Sequence, residues 1–256
     1  APTYLRELRI PRLGKIEKRV AECVQCAKAR NDESTAMYAH AERLLLEELG
    51  LGNLDLSPTL FYERSYSEAS SAARLDAEYF SPRTRNLLAA LSRDRQTLGD
   101  VAKLGKRRFQ PKPGAQFQYI EIADVTGSGT AEASPVAGEE APSRATWIVK
   151  PGDVITTTVR PIRRLSAIIT NEQSGHVCSS GFAVLTPKHI EPELLLVYLR
   201  LPLVCELLDL NTTASMYPAI STADLMKIPI TMPSEKIRNV IAAKIRESFA
   251  ARDESR

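Results

Sequence analysis

The residues of this chain that could carry chemistry are few, and most stand at spacings that no reaction needs. His40, His176 and His189 are its three histidines, and none lies at a spacing that would bring two imidazoles to one metal. Cys23-Val24-Gln25-Cys26 is a lone CxxC inside an amphipathic stripe. A zinc site needs four ligands and no second pair accompanies it, so packing is the reading for these thiols. With Cys178 and Cys205 the chain has four cysteines and no framework spacing, which predicts reduced thiols and a cytoplasmic setting. Gly127-Ser128-Gly129 lacks the third glycine and the following helix of a dinucleotide loop and reads as a turn. Neither a GxxxxGK[ST] loop nor the Asn-Pro-Pro-Tyr-type tetrapeptide of an adenine methyltransferase occurs. The expectation is a chain that is not an enzyme and holds no cofactor or metal.

What accumulates instead is cation in loops. Lys103, Lys106, Arg107, Arg108 and Lys112 form one basic segment broken by Phe109, Gln110 and Pro111; Arg160-Pro161-Ile162-Arg163-Arg164 forms a second, and Arg144 stands between them. Any one such run is read most simply as a solvated face. Two of them, flanked by Gln116, Gln118, Tyr119, Ser179 and Ser180, fit nucleic acid: Lys and Arg neutralise phosphates, while Arg and Gln offer the paired donors that tell bases apart in the major groove. Over the whole chain 34 Lys and Arg meet 31 Asp and Glu, a net charge of +3, and the pI is 8.7. A local basic patch is compatible with that near-neutral balance, because Glu42, Glu47 and Glu48 belong to a different element.

These loops need a scaffold, and 256 residues with 43% hydrophobic and 25% charged content are enough for one real core or two small ones. The composition excludes disorder and low-complexity repeats. Mean hydropathy is -0.20, and no apolar run approaches the roughly 18 residues of a membrane span. The first residues lack the apolar core of a secretory signal and an initiator Met, which predicts a processed product or a fragment.

The first fifth of the chain predicts one helix from about Lys15 to Leu49, entered after the Ile10-Pro11 break and stopped by Gly50. Ile16, Val20, Cys23, Ala27, Ser34, Met37, Ala41 and Leu44 fall on one stripe, and the small residues Ala27, Ser34 and Ala41 predict close packing against a partner helix. Such a helix is roughly 50 Å long at about 1.5 Å per residue. Phe61 to Tyr66 reads as a short strand and Ser81 to Leu91 as a helix with Pro82 in its first turn. From Leu98 to Pro187 short apolar runs separated by Gly, Pro, Ser and Thr predict a strand-rich domain, with strands near 119–122, 147–149, 154–159, 166–170 and 182–185. One helix from Pro192 to Leu208 and another from Glu235 to the end complete the reading.

The two ends of the chain repeat each other. Ile10-Pro11 and Lys15-Ile16 are echoed by Ile228-Pro229 and Lys236-Ile237, and Val20, Ala21, Val24, Ala29, Asp32, Glu33 and Ser34 by Ile241, Ala242, Ile245, Ala250, Asp253, Glu254 and Ser255. The repeating unit is one helix plus one strand-rich domain, with the next unit barely begun.

In this order the segments resemble the specificity subunit of type I restriction-modification systems over nearly the whole chain. Arg74 to Pro82 resembles the lead-in to a target recognition domain, Leu98-Gly99-Asp100-Val101-Ala102 its first strand and turn, and Tyr119 to Val125 its central strand. Arg144 to Pro161 matches the family's Arg-Ala pair, apolar pair, Pro-Gly-Asp and strand ending in Arg-Pro. Ser179-Ser180-Gly181-Phe182, the helix from Pro192, and Ser215 to Ile220 leading into Leu225 to Pro229 follow in order. Ala214-Ser215 departs from the Thr-Gly pair often seen before that last loop.

The resemblance implies an α+β fold: a strand-rich target recognition domain at 58–232, a spacer helix at 1–57 and the truncated start of its antiparallel counterpart at 233–256. It implies a non-catalytic subunit that reads half of a split site in double-stranded DNA. The implied partners are adenine methyltransferase subunits, which hold S-adenosylmethionine, and a motor-nuclease subunit. With one recognition domain, the chain is expected to be a half-subunit pairing with its own copy, on a palindromic split site, or a fragment of a two-domain protein. Phosphate contacts are expected from Lys106, Arg107, Lys112, Arg163 and Arg164, and base contacts from Arg108, Gln110, Arg144, Arg160 and Tyr217. A recognition region of a fused methyltransferase-nuclease, and a coiled-coil interaction protein that binds no DNA, remain the alternatives.

Overall fold

The computed structural model describes residues 14–213 and 216–255; Ile10-Pro11, Ala214 and Ser215 lie outside them. In chain order the helices are α1 (Lys15–Glu48), α2 (Tyr66–Ala72), α3 (Ala77–Phe80), α4 (Pro82–Leu91), α5 (Leu98–Val101), α6 (Pro192–Arg200), α7 (Pro202–Leu210), α8 (Thr222–Leu225) and α9 (Glu235–Asp253). The strands are β1 (Gln96–Thr97), β2 (Ala102–Leu104), β3 (Gln116–Ile120), β4 (Ser134–Ala137), β5 (Ala145–Ile148), β6 (Val154–Thr157), β7 (Ser166–Ile168), β8 (Val177–Ser179), β9 (Phe182–Pro187), β10 (Thr212–Thr213), β11 (Ala219–Ile220) and β12 (Pro229–Ile230).

Three layers follow from the two-residue period of the strands. One sheet runs β2-β9-β6-β7, antiparallel throughout; the other runs β4-β3-β8-β5, with β3 and β8 parallel. Along β6 and β9, Val154, Ala183 and Leu185 point into the core shared with α1, α6, α7 and α9, while Ile155, Phe182 and Val184 point into a second core against the other sheet. The first sheet is therefore apolar on both faces. It is clamped between the helices and the second sheet, and the loops at its edges are held at fixed positions.

α1 begins and ends within one residue of the sequence expectation. Gly50, at φ +65°, takes the left-handed position that closes the helix. It packs antiparallel against α9: Ser234 N–H donates to Glu48 Oε1 at 3.1 Å, Ser248 Oγ donates to Ser34 O at 2.8 Å, and Arg30 meets Glu254 at 3.0 Å. The buried hydroxyl pair Ser34–Ser248, 3.1 Å apart, shows what the small residues permit: a close approach with no polar atom stranded. The buried face is Ser34, Tyr38, Ala41 and Leu45. Met37 and Leu44, expected in the stripe, are only half-buried, because a straight helix drifts from a strict seven-residue repeat. N-terminal to Arg30 the stripe passes the last described turn of α9, and Ile16, Val20 and Val24 stand more than half exposed. Cys23 and Cys26 are exposed too, so the packing expected of these thiols is absent among the described residues.

Three local expectations are corrected. Phe61 to Ser65 is loop, with Phe61 86% exposed: no strand lies alongside it, and Tyr66 instead opens α2, which Ser65 caps through a reciprocal box with Glu68. Leu98–Val101 is one helical turn closed by Thr97 and Asp100 rather than a strand. The helix expected from Pro192 to Leu208 is two helices, broken at Leu201 because Pro202 disfavours a helical residue before it.

Arg200 at the end of α6 ties the layers together. It is 4% exposed. Its Nε donates to Tyr38 Oη at 2.7 Å, Nη1 to the carbonyls of Arg164 at 2.9 Å and Ser166 at 3.3 Å, and Nη2 to the carbonyl of Gly127. Burial pushes the Tyr38 hydroxyl up to about 12, opposed by the adjacent Arg200, so it remains a neutral acceptor for the guanidinium. Removing the guanidinium strands a phenol and three carbonyls, each worth about 1–3 kcal/mol when buried and unpaired. Arg200→Met is expected to lower unfolding free energy in urea by about 3 kcal/mol or more; a loss under about 1 kcal/mol would show that the hub is not structural.

Candidate nucleic-acid interface

The two basic loops leave the same end of the first sheet, one after β2 and the other between β6 and β7, and their arginines divide into those turned inward and those left free. Arg107 is turned inward. Its Nε donates to Ile148 O at 3.0 Å and Nη2 pairs with Asp153, whose side chain is 2% exposed. Asp153 also accepts from Thr186 Oγ1 at 2.7 Å and Lys150 N–H at 2.8 Å. The Pro151-Gly152-Asp153 turn, with Gly152 at φ +79°, thus supplies the counter-charge that pins the first loop to the sheet.

With Arg107 fixed, its neighbours Lys106 and Arg108 face solvent. Backbone bonds run the loop along β5: Ile148 N–H donates to Arg107 O and Phe109 N–H to Thr146 O, both at 2.8 Å. This places the Arg108 guanidinium 5.4 Å from the centre of the Trp147 ring, a stacked position worth about 0.5–1 kcal/mol at an exposed site. On the far side of Arg108, Gln110 and Lys112 line an open depression floored by Phe109 and Phe117, whose rings lie 4.5 Å apart.

The second loop is held in a sparsely populated backbone conformation. Arg160 and Arg164, on either side of a short 3-10 turn, sit at φ +49° and +61°, where a residue with a Cβ is uncommon and strained. Arg160 N–H donates to Pro218 O at 2.8 Å, Nη2 reaches Met216 O at 3.3 Å, and its guanidinium lies 5.4 Å from the Tyr217 ring centre. Tyr217 itself is 66% exposed. Arg164 points the opposite way, holding both oxygens of Glu42 on α1 at 2.8 and 2.9 Å and donating to Arg200 O at 2.6 Å. Arg163 is exposed and lines a separate cleft against α1 and α9 with Arg252.

The structure therefore gathers Lys106, Arg108, Arg160 and Tyr217 at one end of the sheet. Exposed Arg144 joins them through its carbonyl, which accepts from Ser180 N–H at 2.7 Å. It separates Arg107, Arg163 and Arg164 from that group. Trp147, Thr158, Phe182 and Thr222, not singled out as contacts in the sequence, lie among the gathered residues. The signal was there for Trp147 alone, the single tryptophan of the chain. Behind Trp147 the Cys178 thiol is pushed up to about 12 by burial and the nearby Asp153 charge, so it stays protonated at neutral pH. Among the described residues no group of three His, Cys, Asp or Glu could hold a metal ion, and no helix is long and apolar enough to cross a membrane.

This division predicts unequal costs. Arg107→Ala leaves a buried Asp153 unpaired and is expected to destabilise by about 3–5 kcal/mol, whereas Arg108→Ala, at the surface, should change unfolding by less than about 0.5 kcal/mol. Equal costs in a denaturant titration would refute the assignment.

No family model matches the chain, and no curated protein does. Solved structures do. One, described as bearing on complex assembly and conformational transition of the type I R-M system, has 29% sequence identity and a TM-score of 0.51. Another, the HsdS subunit from Thermoanaerobacter tengcongensis, has 29% identity and a TM-score of 0.50. In both cases the match covers 57% of this chain and 40% of the other. The chain is α+β, with a long helix and a two-sheet domain, and over the shared part it has the fold of the HsdS specificity subunits of type I restriction-modification systems.

Proposed function

We propose that this chain is a non-catalytic, cytoplasmic module that reads one half of a split double-stranded DNA site for a type I restriction-modification assembly. The observation that carries the reading is the free cation set. Lys106, Arg108, Arg144 and Arg160 form no ion pair among the described residues, while Arg107 and Arg164 beside them are paired with carboxylates. Leaving four cations without a carboxylate partner at one end of a rigid sheet, two of them stacked on aromatic rings, suits phosphate and base contact.

Within this reading Lys106 and Lys112 meet phosphates, while Arg108, Gln110, Arg144, Arg160 and Tyr217 face bases. Arg107 and Arg164 act as positioning residues for the two loops. The domain boundaries are 1–57, 58–232 and 233–256. The exposed stripe Ile16, Val20 and Val24 is assigned to antiparallel helix pairing, with a second copy of the chain or with the counterpart helix of a two-domain protein. Adenine methyltransferase subunits, which hold S-adenosylmethionine, and a motor-nuclease subunit are the proposed partners.

Selection from random duplexes, with the matching methyltransferase present, supplies the half-site on which the reading is tested. Affinity should fall steeply with salt. Lys106→Ala should flatten the log–log slope by about one, and Arg160→Ala should cost about 1–3 kcal/mol and relax preference at one base pair. Salt-independent binding, or none at low salt, would overturn the reading.

A further inference from the structure

Beside the Arg108–Trp147 stack lies a half-enclosed cavity of about 330 Å³, near the lower end of the roughly 300–1,000 Å³ range of ligand sites. Its lining combines three chemistries. Trp147 supplies an aromatic wall, the buried Phe182, Val184 and Ile220 supply apolar floor, and the exposed Ser180 and Thr222 hydroxyls with the Arg108 guanidinium supply polar groups at the rim.

Local backbone constraints keep the space open. Gly105 lines the cavity, and a Cβ there would come within 3.0 Å of Val184 Cγ1; its N–H is tied to Val184 O at 2.7 Å. On the other side Thr158 donates through both N–H and Oγ1 to Gly181 O, at 2.8 and 3.0 Å, and Ile220 N–H donates to Thr158 O at 2.9 Å. The β6, β9 and β11 backbones are thereby spaced around a slot that no side chain among the described residues fills.

Aromatic and apolar walls with a hydrogen-bonding, cationic rim match one planar heterocycle attached to a phosphodiester chain. We infer that this cavity receives a single nucleobase drawn out of the duplex stack at or beside the recognised half-site. The inference rests on the DNA-reading proposal. The base stacks on Trp147, and its hydrogen-bonding edge is met by Ser180, Thr222 and Arg108. Lys106 at the mouth neutralises the adjacent phosphate. Specificity at that position then comes from the edge read inside the slot, with no groove contact to the same base.

Extruding a base is easiest where its partner is missing. The test uses the full chain and a set of duplexes carrying the selected half-site, each with one base in turn facing an abasic sugar. At one position binding should tighten about tenfold or more, and emission from Trp147, the single tryptophan, should be quenched there by base stacking. Ser180→Phe, at an exposed turn where it blocks the slot, should remove both the tightening and the quenching while thermal unfolding stays unchanged. If duplexes bind with salt-dependent affinity but no abasic position tightens binding or quenches Trp147, the pocket assignment fails and the DNA reading stands. If no duplex binds, both fail.

Discussion

The arrangement depends on one buried cation. Taking a guanidinium out of water costs several kcal/mol even after relaxation, and Arg200 offsets it with donors to Tyr38, Arg164, Ser166 and Gly127. Those four acceptors belong to α1, to the loop between β6 and β7, to β7 itself, and to the 126–130 turn. One side chain therefore references the long helix, the first sheet and a loop of the second layer to each other. Apolar packing could hold the same elements together, but it would not fix their mutual rotation, since apolar contacts are nondirectional.

That reference frame reaches the reading edge through a short path. Arg164 gives its carbonyl to Arg200 and its guanidinium to Glu42 on α1. Four residues earlier, Arg160 lies at the other end of the same strained turn, stacked on Tyr217. The turn works as a rigid strut: one end is bolted to the helix and the other presents a cation. Left-handed conformations at both arginines are tolerable because each end is held by several bonds. Under the proposed function, in which the chain reads one half of a split site at a set distance from the other half, this coupling matters. A spacer helix measures distance on DNA only if the reading loops cannot swing relative to it.

Much of the fold was legible in the sequence, for reasons particular to each element. α1 spans 34 residues with a clear glycine stop, so its limits could be placed from periodicity and capping alone. Three strands of the double-sided sheet, β6, β7 and β9, showed as apolar runs, since both of their faces are buried, whereas β2, with exposed Lys103, did not. β4 was missed because it is short and half polar, and β8 because it is short and depends on the parallel β3–β8 contact between residues about 58 apart in sequence. Pro202 was visible and its meaning was overridden by the apolar periodicity on either side. At the site, composition located the cations but not their partners. Nothing local to Arg107-Arg108 says that the first is spent on Asp153, 46 residues away, while the second is free.

That last point explains why so small a net charge is consistent with the proposed DNA-reading face. Electrostatic attraction is felt locally, within a Debye length of about 8–10 Å at physiological salt, so the relevant quantity is unpaired charge per patch. In this chain Arg74, Arg83, Arg85, Arg107, Arg164 and Arg246 are each matched by a carboxylate inside the fold, and these pairs cancel wherever they sit. The surplus of +3 is what remains after many such cancellations, and the four free cations at the sheet edge can be stronger locally than the whole-chain sum suggests. Folding, by choosing which arginines meet an acid, converts a nearly neutral sequence into a polarised surface.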